Sequence, residues 1–315
     1  MFFNGKDYFF ISTCKSTNSK VLLEKICSVL GAPYNENNAA FLKSKLQKAT
    51  LEYRRNCTDI ETKDGHIVTP YGDAGTIIIG LTQKRRKLNT KENIQKLVNA
   101  LKDAKELYST DPEKYHVSIS TDNNKVNFDS VSILPFLFCP ACAKETCGVE
   151  CYAFAMALNE YHGGVVKAWA MNTAILQLDP VKYWEEISDA VNGQRFFRFH
   201  VSGEIVNREY FENMIKIARD NPKTDILCFT KQYEIVNSWI DKNGALPDNL
   251  HVLFSAWEDK IKIINPHNLP VTDVLNDTDP ANDKIICGGN CFFCACRGVG
   301  CWTLKNGEKL YFYKH

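Results

Sequence analysis

The alternation of apolar and polar positions changes rhythm near residue 126. Upstream, residues 20–30 carry apolar side chains at helical intervals until Gly31 stops the run, and a second helix is predicted over about 36–53. GTIIIGL at 75–81 is the unbroken β-branched run of a buried strand. Beyond it, Ile94, Leu97, Val98, Leu101, Ala104 and Leu107 recur along one face of a helix that Asn89 or Thr90 can cap. From 126 onward, strands alternate with helices. Strands are predicted at 131–138, 196–201, 225–230 and 250–255; helices are predicted from about 152, over 180–191 and 208–220, and through Trp239. Strands joined by single crossover helices imply an α/β fold with a mostly parallel sheet, open or closed into a barrel. Leu310 and Phe312 alternate in a final strand that packs on the core. The organisation read from this is a mixed α+β segment at 1–125, a β/α core at 126–280 and a tail at 281–315.

Composition adds one decisive feature. Of the 13 cysteines, four fall between Cys139 and Cys151 (CPACAKETCGVECYA) and five between Cys287 and Cys301 (CGGNCFFCACRGVGCW). Four soft ligands within reach of one point suit zinc or an iron–sulfur cluster. Disulfides are the competing use of such cysteines. The opening MFFNGKDYFF lacks the pattern of a secretory leader, and no stretch approaches the ~20 apolar residues of a membrane span. The expectation is a cytoplasmic protein with reduced thiols and no membrane partner. Cys14, Cys27 and Cys57 stand alone and read as packed or incidental thiols. A formal net charge of +1 exerts no global pull on nucleic acid, and the run Lys84-Arg85-Arg86-Lys87 reads as a solvated loop.

In parallel α/β sheets ligands gather at the carboxyl ends of the strands. The predicted strands are followed there by the first cysteine group, by Ser202-Gly203-Glu204, by Lys231 and by Trp257-Glu258. For each alone the plain reading is strong: a glutamate after a strand is usually a helix-start residue. Their shared position makes one site the sharper hypothesis.

The cysteine group ending in CYA, then FFRFHVSGE, ILCFTK and the closing GCW with its basic-aromatic terminus, resemble the phage and plasmid "gene product 88" family over roughly residues 115–315. The order of strand, cysteine triplet, aromatic residue, helix, strand and small-Gly-Glu is also similar to the radical S-adenosylmethionine superfamily. Cys139, Cys147 and Cys151 read C-x7-C-x3-C, however, where that superfamily's usual spacing is C-x3-C-x2-C. The resemblance implies a complete or partial β/α barrel. Cys139, Cys147 and Cys151 would hold a [4Fe-4S] cluster, with Cys142 as an ambiguous neighbour. Ser202, Gly203 and Glu204 would hold the amino group of S-adenosylmethionine, and Tyr152 would pack on the cluster. Lys231, or Arg198 if it faces the site, would pair with the cofactor carboxylate. His200 alternates with Arg198 and is expected on the same strand face, as a supporting residue at most. The tail thiols Cys287, Cys291 and Cys294, with Cys301 or Cys296 as fourth ligand, would hold an auxiliary centre, either a second [4Fe-4S] cluster or zinc.

The resulting expectation is a radical enzyme served by an external electron donor, with an unknown substrate for which nucleic acid and peptide are candidates. The rival is a zinc-stabilised nucleic-acid or protein interaction module, supported by Trp302, Tyr311, Phe312 and Tyr313 interleaved with Lys305, Lys309 and Lys314. The alternation at Leu310 and Phe312 favours packing over base stacking.

Overall fold

The computed structural model describes residues 2–3, 6–12, 60–61, 67–71 and 76–81 as strands, and 87–121, 126–159, 163–258, 260–275 and 284–313 in full or nearly so. The chain divides into two compact units, and the division falls after residue 86. The helices expected at 20–30 and 36–53, the basic run as far as Arg86, and Cys14, Cys27 and Cys57 lie outside the described residues. In the first unit β1 (Phe2–Phe3), β2 (Lys6–Ser12), β3 (Ile60–Glu61), β4 (Ile67–Tyr71) and β5 (Thr76–Leu81) form an antiparallel sheet in the order β1-β2-β5-β4-β3. The β-branched run of β5 takes the central place, paired on both sides.

The second unit is built on an eight-stranded sheet. Its strands are β6 (Ile119–Ser120), β7 (Ser130–Val131), β8 (Phe196–Phe199), β9 (Asp225–Thr230), β10 (Leu250–Ser255), β11 (Val271–Leu275), β12 (Ile285–Ile286) and β13 (Lys309–Tyr313). They lie in the order β12-β13-β11-β10-β9-β8-β7-β6. All neighbouring pairs are parallel except β6 with β7. The sheet is open, with β12 and β6 at its two edges, which rules out a complete barrel. The tail is part of this sheet: β13 inserts between β11 and β12.

The helices are α1 (Lys91–Thr110), α2 (Ala141–Glu145), α3 (Tyr152–Leu158), α4 (Gly163–Leu178), α5 (Pro180–Val191), α6 (Arg208–Asp220), α7 (Tyr233–Asn243) and α8 (Cys291–Arg297). Thr90 caps α1 by accepting from the Asn93 amide at 3.2 Å. The buried stripe of α1 runs through Leu97, Ala104 and Tyr108, while Val98 and Leu107 are exposed, so the face is rotated from the one expected. Leu97 and Ala104 share a core with Leu134, Phe136, Phe154, Ala170 and Ala174, which ties α1 to the sheet-bearing unit. The long helix expected from residue 152 is two helices. Asn159 leaves helical geometry at ψ 118°, and α4 restarts at Gly163-Gly164.

Side chains of a strand alternate between faces, and both faces of the central strands are covered. Phe197, Phe199, Ile226, Cys228, Val252 and Phe254 pack toward Tyr183, Phe211, Met214 and Val236 of the helices. Phe196, Leu227 and Leu253 pack on the other face against Ala295 and Trp302 of the tail, so the cysteine-rich segment roofs that face.

Candidate functional site

The strand expected at 131–138 pairs only through Val131. Beyond it the Ile133 amide donates to the Ser202 carbonyl at 3.1 Å and the Leu134 amide to Thr173 Oγ1 at 3.0 Å. Pro135 cannot donate to a ladder, and Phe136 adopts φ 70°, so the chain turns while remaining buried and apolar. The Phe136 ring then organises the first cysteine loop. It packs on Phe154 with centroids 5.1 Å apart, Lys144 Nζ stands 5.6 Å above it, and a Cβ on Gly148 would come within 3.0 Å of it.

Cys139, Cys147 and Cys151 lie within electrostatic reach of one another and of Glu204, and Lys231 reaches Cys147 and Cys151. Burial raises all three thiol pKa values. Cys139 is pushed further by Glu204 and by the other two thiols, and Lys231 counteracts burial at Cys147 and Cys151. Cys142 is exposed on α2 and contributes a field at Cys147. Glu204 is 5 % exposed, and burial raises its pKa against three hydrogen bonds that lower it. Its Oε1 accepts from Thr230 Oγ1 at 2.5 Å and from the Ile205 amide at 2.8 Å, and Oε2 accepts from the Lys231 amide at 2.8 Å. A carboxylate offers about four acceptor positions, so the group is fixed in place with capacity left. Lys231 Nζ donates to Ser255 Oγ at 2.6 Å. Ser255 is the last residue of β10, and the Glu258 carboxylate beyond it pairs with Lys260.

Ser202 and Gly203 are occupied in joining β8 to the chain after β7. The buried Ser202 hydroxyl donates to the Ile133 carbonyl at 3.1 Å, and its amide donates to Ser132 Oγ at 3.1 Å. Gly203 lies against Ile133 at φ 104°. Gln232, which the sequence did not single out, ties three segments together: its Nε2 donates to the Phe138 carbonyl at 3.2 Å and to the Ile205 carbonyl at 3.1 Å. Its only sequence signal was its place directly after Lys231.

Arg198 and His200 do not share a face. β8 ends at Phe199, and His200 takes φ 61°, which breaks the alternation. His200 is buried with Nε2 2.9 Å from Tyr210 Oη and Nδ1 3.9 Å from Cys228 Sγ, on the helix-covered side. Burial, reinforced by Arg198, lowers its pKa to about 3. The folded protein therefore holds it neutral while the unfolded chain protonates near pH 6.5. Stability is complete above that value, and as pH falls toward 3 the unfolding free energy should drop by up to about 1.4 kcal/mol per pH unit from this group. His200→Asn, which tolerates the left-handed backbone, should remove that slope in urea titrations between pH 7 and 4; an unchanged slope would assign it elsewhere.

Arg198 faces the tail. Its Nη1 donates to Cys291 Sγ at 3.7 Å, and its guanidinium stands 4.8 Å above the Phe229 ring. Cys287, Cys291, Cys294 and Cys301 line one pocket of about 530 Å³ together with Arg297, Trp302 and Leu310. Cys296 is exposed and does not line it. Tyr152, exposed at the start of α3, donates its hydroxyl to the Val201 carbonyl and feels the fields of Arg198, Cys151 and Cys291, so the two thiol groups adjoin there. All ten described cysteines are free thiols. Among the described residues, no three His, Cys, Asp or Glu side chains converge in a way that could hold a single metal ion. No described helix is long and apolar enough to cross a membrane.

A family model, gene product 88, matches residues 81–300, more than half of the chain. The chain belongs to the gene product 88 family. The match begins at Leu81, the last residue of β5, and takes in both thiol groups except Cys301 and every strand from β6 to β12. No curated protein and no solved structure matches the chain.

Proposed function

We propose that this member of the gene product 88 family is an iron–sulfur enzyme of the radical S-adenosylmethionine type, built on a partial β/α barrel. Cys139, Cys147 and Cys151 would hold a [4Fe-4S] cluster. The observation that carries the reading is the grouping of three half-buried thiols with Glu204 and Lys231 beyond the carboxyl ends of β7, β8 and β9. The donor set suits a polynuclear cluster better than one ion. A single zinc needs thiolates about 2.3 Å from one point, and no such convergence exists among the described residues; a cluster spreads its thiolates over separate irons.

When bound at Cys139, Cys147 and Cys151, a [4Fe-4S] cluster would supply one-electron reductive cleavage of S-adenosylmethionine, with the electron drawn from an external low-potential donor. The chain's own residues would orient the cofactor. Glu204, held by three donors, keeps acceptor capacity for an ammonium. The Lys231 ammonium would pair with the cofactor carboxylate while Ser255 positions it. Burial of Trp302 and Leu310 in the core weakens the rival reading of the tail as a base-stacking surface.

The test is iron, zinc and acid-labile sulfide content of the full chain purified without oxygen, followed by assay for 5′-deoxyadenosine with a low-potential reductant. Replacing Cys147 and Cys151 with alanine should remove about four irons and four sulfides per chain and all deoxyadenosine formation. Unchanged iron in that variant, or zinc without sulfide in the parent, sinks the proposal and returns the zinc-stabilised module.

A further inference from the structure

The four tail thiols are a separate set from the first group, with their own electrostatic frame. Cys301 lies in the fields of Cys287, Cys291, Cys294 and Arg198, and Cys294 in those of Cys287 and Cys291. The backbone is shaped to let the sulfurs face one space. Gly289 takes φ 79° and donates its amide to Cys287 Sγ at 3.4 Å, and Gly300 takes φ 64°, where an added Cβ would stand 3.6 Å from Cys294 Sγ. Two sulfurs of the four therefore already accept N–H donors, one from Gly289 and one from Arg198.

One observation separates the possible occupants, and a second calls for an anionic centre of either kind. Four thiolates around one zinc sit about 3.8 Å from each other, given a tetrahedral bond length of about 2.3 Å. Here no three donors converge in that way, and the sulfurs instead border a space of about 530 Å³. Arg198 adds a charge argument. Its Nε is buried with no partner, and one of its terminal nitrogens is committed to Cys291 Sγ. A partly buried cation is costly without an anion beside it, and a thiolate-ligated metal centre, cluster or zinc, is such an anion.

We infer that Cys287, Cys291, Cys294 and Cys301 hold a polynuclear iron–sulfur cluster rather than zinc, with Arg198 as the positioning residue that hydrogen-bonds Cys291 and sets the cluster's potential. The chemistry rests on the iron–sulfur reading above, but the ligands are a separate set. Hydrogen bonds and positive charge at the sulfurs favour the reduced, more negative cluster, so Arg198 raises the midpoint potential. The two centres would adjoin at Tyr152.

The test uses the full chain with Cys139, Cys147 and Cys151 all replaced by alanine, reconstituted with iron and sulfide without oxygen. About four irons and four sulfides should remain. In that background Arg198→Met should keep the iron and move the midpoint potential to a more negative value, and Arg198→Lys should restore part of the shift. If the triple variant does not fold, replacing the four tail cysteines in the parent should remove about half of its iron. Zinc without sulfide, or no metal, in the folded triple variant overturns the proposal, as does parent iron that survives loss of the tail thiols; an unmoved potential in Arg198→Met overturns the role of Arg198. Loss of the first group's iron alone would speak only against the reading in the preceding subsection.

Discussion

Gly203→Ala should lower the unfolding free energy by about 4 kcal/mol, through two independent penalties. A Cβ at this position would lie 2.3 Å from Ile133 Cγ1, 3.2 Å from the Ile133 carbonyl oxygen and 3.3 Å from Ile133 Cδ1. That overlap forces a buried, unexposed side chain to move, which costs roughly 1–3 kcal/mol in a packed core. The backbone at φ 104° is also a conformation that L side chains rarely adopt, which adds about 1–3 kcal/mol. The same close approach is held by a hydrogen bond from the Ile133 amide to the Ser202 carbonyl.

Urea unfolding would read the loss as a lower midpoint at unchanged slope. A double-mutant cycle with Ile133→Ala separates the two penalties. Removing Cγ1 and Cδ1 of Ile133 should recover the overlap term and leave the backbone term. A Gly203→Ala protein within about 1 kcal/mol of the parent would show that neither penalty operates. Because Glu204 follows directly, any thiol-site measurement on this variant must be made on protein shown to be folded.

Much of the fold was legible because its signals are local. The runs 225–230 and 250–255 form strands as read, and 180–191 and 208–220 form helices, because their apolar periods are matched by caps such as Asp179 and Asn207. The strand order was not legible. β11 and β12 were missed outright, since VTDVL interrupts its apolar positions with Asp273 and β12 has two residues. Asp273 is buried because Lys309 pairs with it at 2.7 Å and the amides of Glu258 and Val274 donate to it, partners that only the fold brings near.

The site divides in the same way. Clustering of cysteines along the chain marked out both thiol groups, since cysteines close in sequence cannot lie far apart in space. The faces of Arg198 and His200 were misread because alternation assumes an extended backbone, and a histidine at φ 61° carries no sequence mark. Ser202 and Gly203 matched a motif by residue type, whereas their side-chain positions serve the β7–β8 junction. The adjacency of the two thiol groups depends on β13 joining the sheet beside β11, a contact between distant segments that no local pattern encodes.

Trp302→Ala should cost about 3–5 kcal/mol, the range for truncating a buried aromatic side chain, and should loosen the tail before the rest of the unit. The indole is 7 % exposed, with ring centroids 5.3 Å from Phe196, 5.7 Å from Phe128 and 5.5 Å from His251. It joins the tail to β8 and β10, and its Nε1 donates to the carbonyl of Cys291 at 3.3 Å. It also forms a wall of the tail pocket, so its loss opens the space that four thiols border. Trp302→Phe keeps most of the ring contact and forfeits the hydrogen bond, for which about 1 kcal/mol is expected. Limited proteolysis distinguishes anchoring from general stability: the alanine variant should be cut first within 284–302, with the helices from α4 to α7 still protected. Cleavage that begins elsewhere, or an alanine variant as resistant as the parent, would mean that β13 alone holds the tail to the sheet. Neither substitution changes a residue of β11 or β13, so the difference between the two variants isolates what the indole contributes.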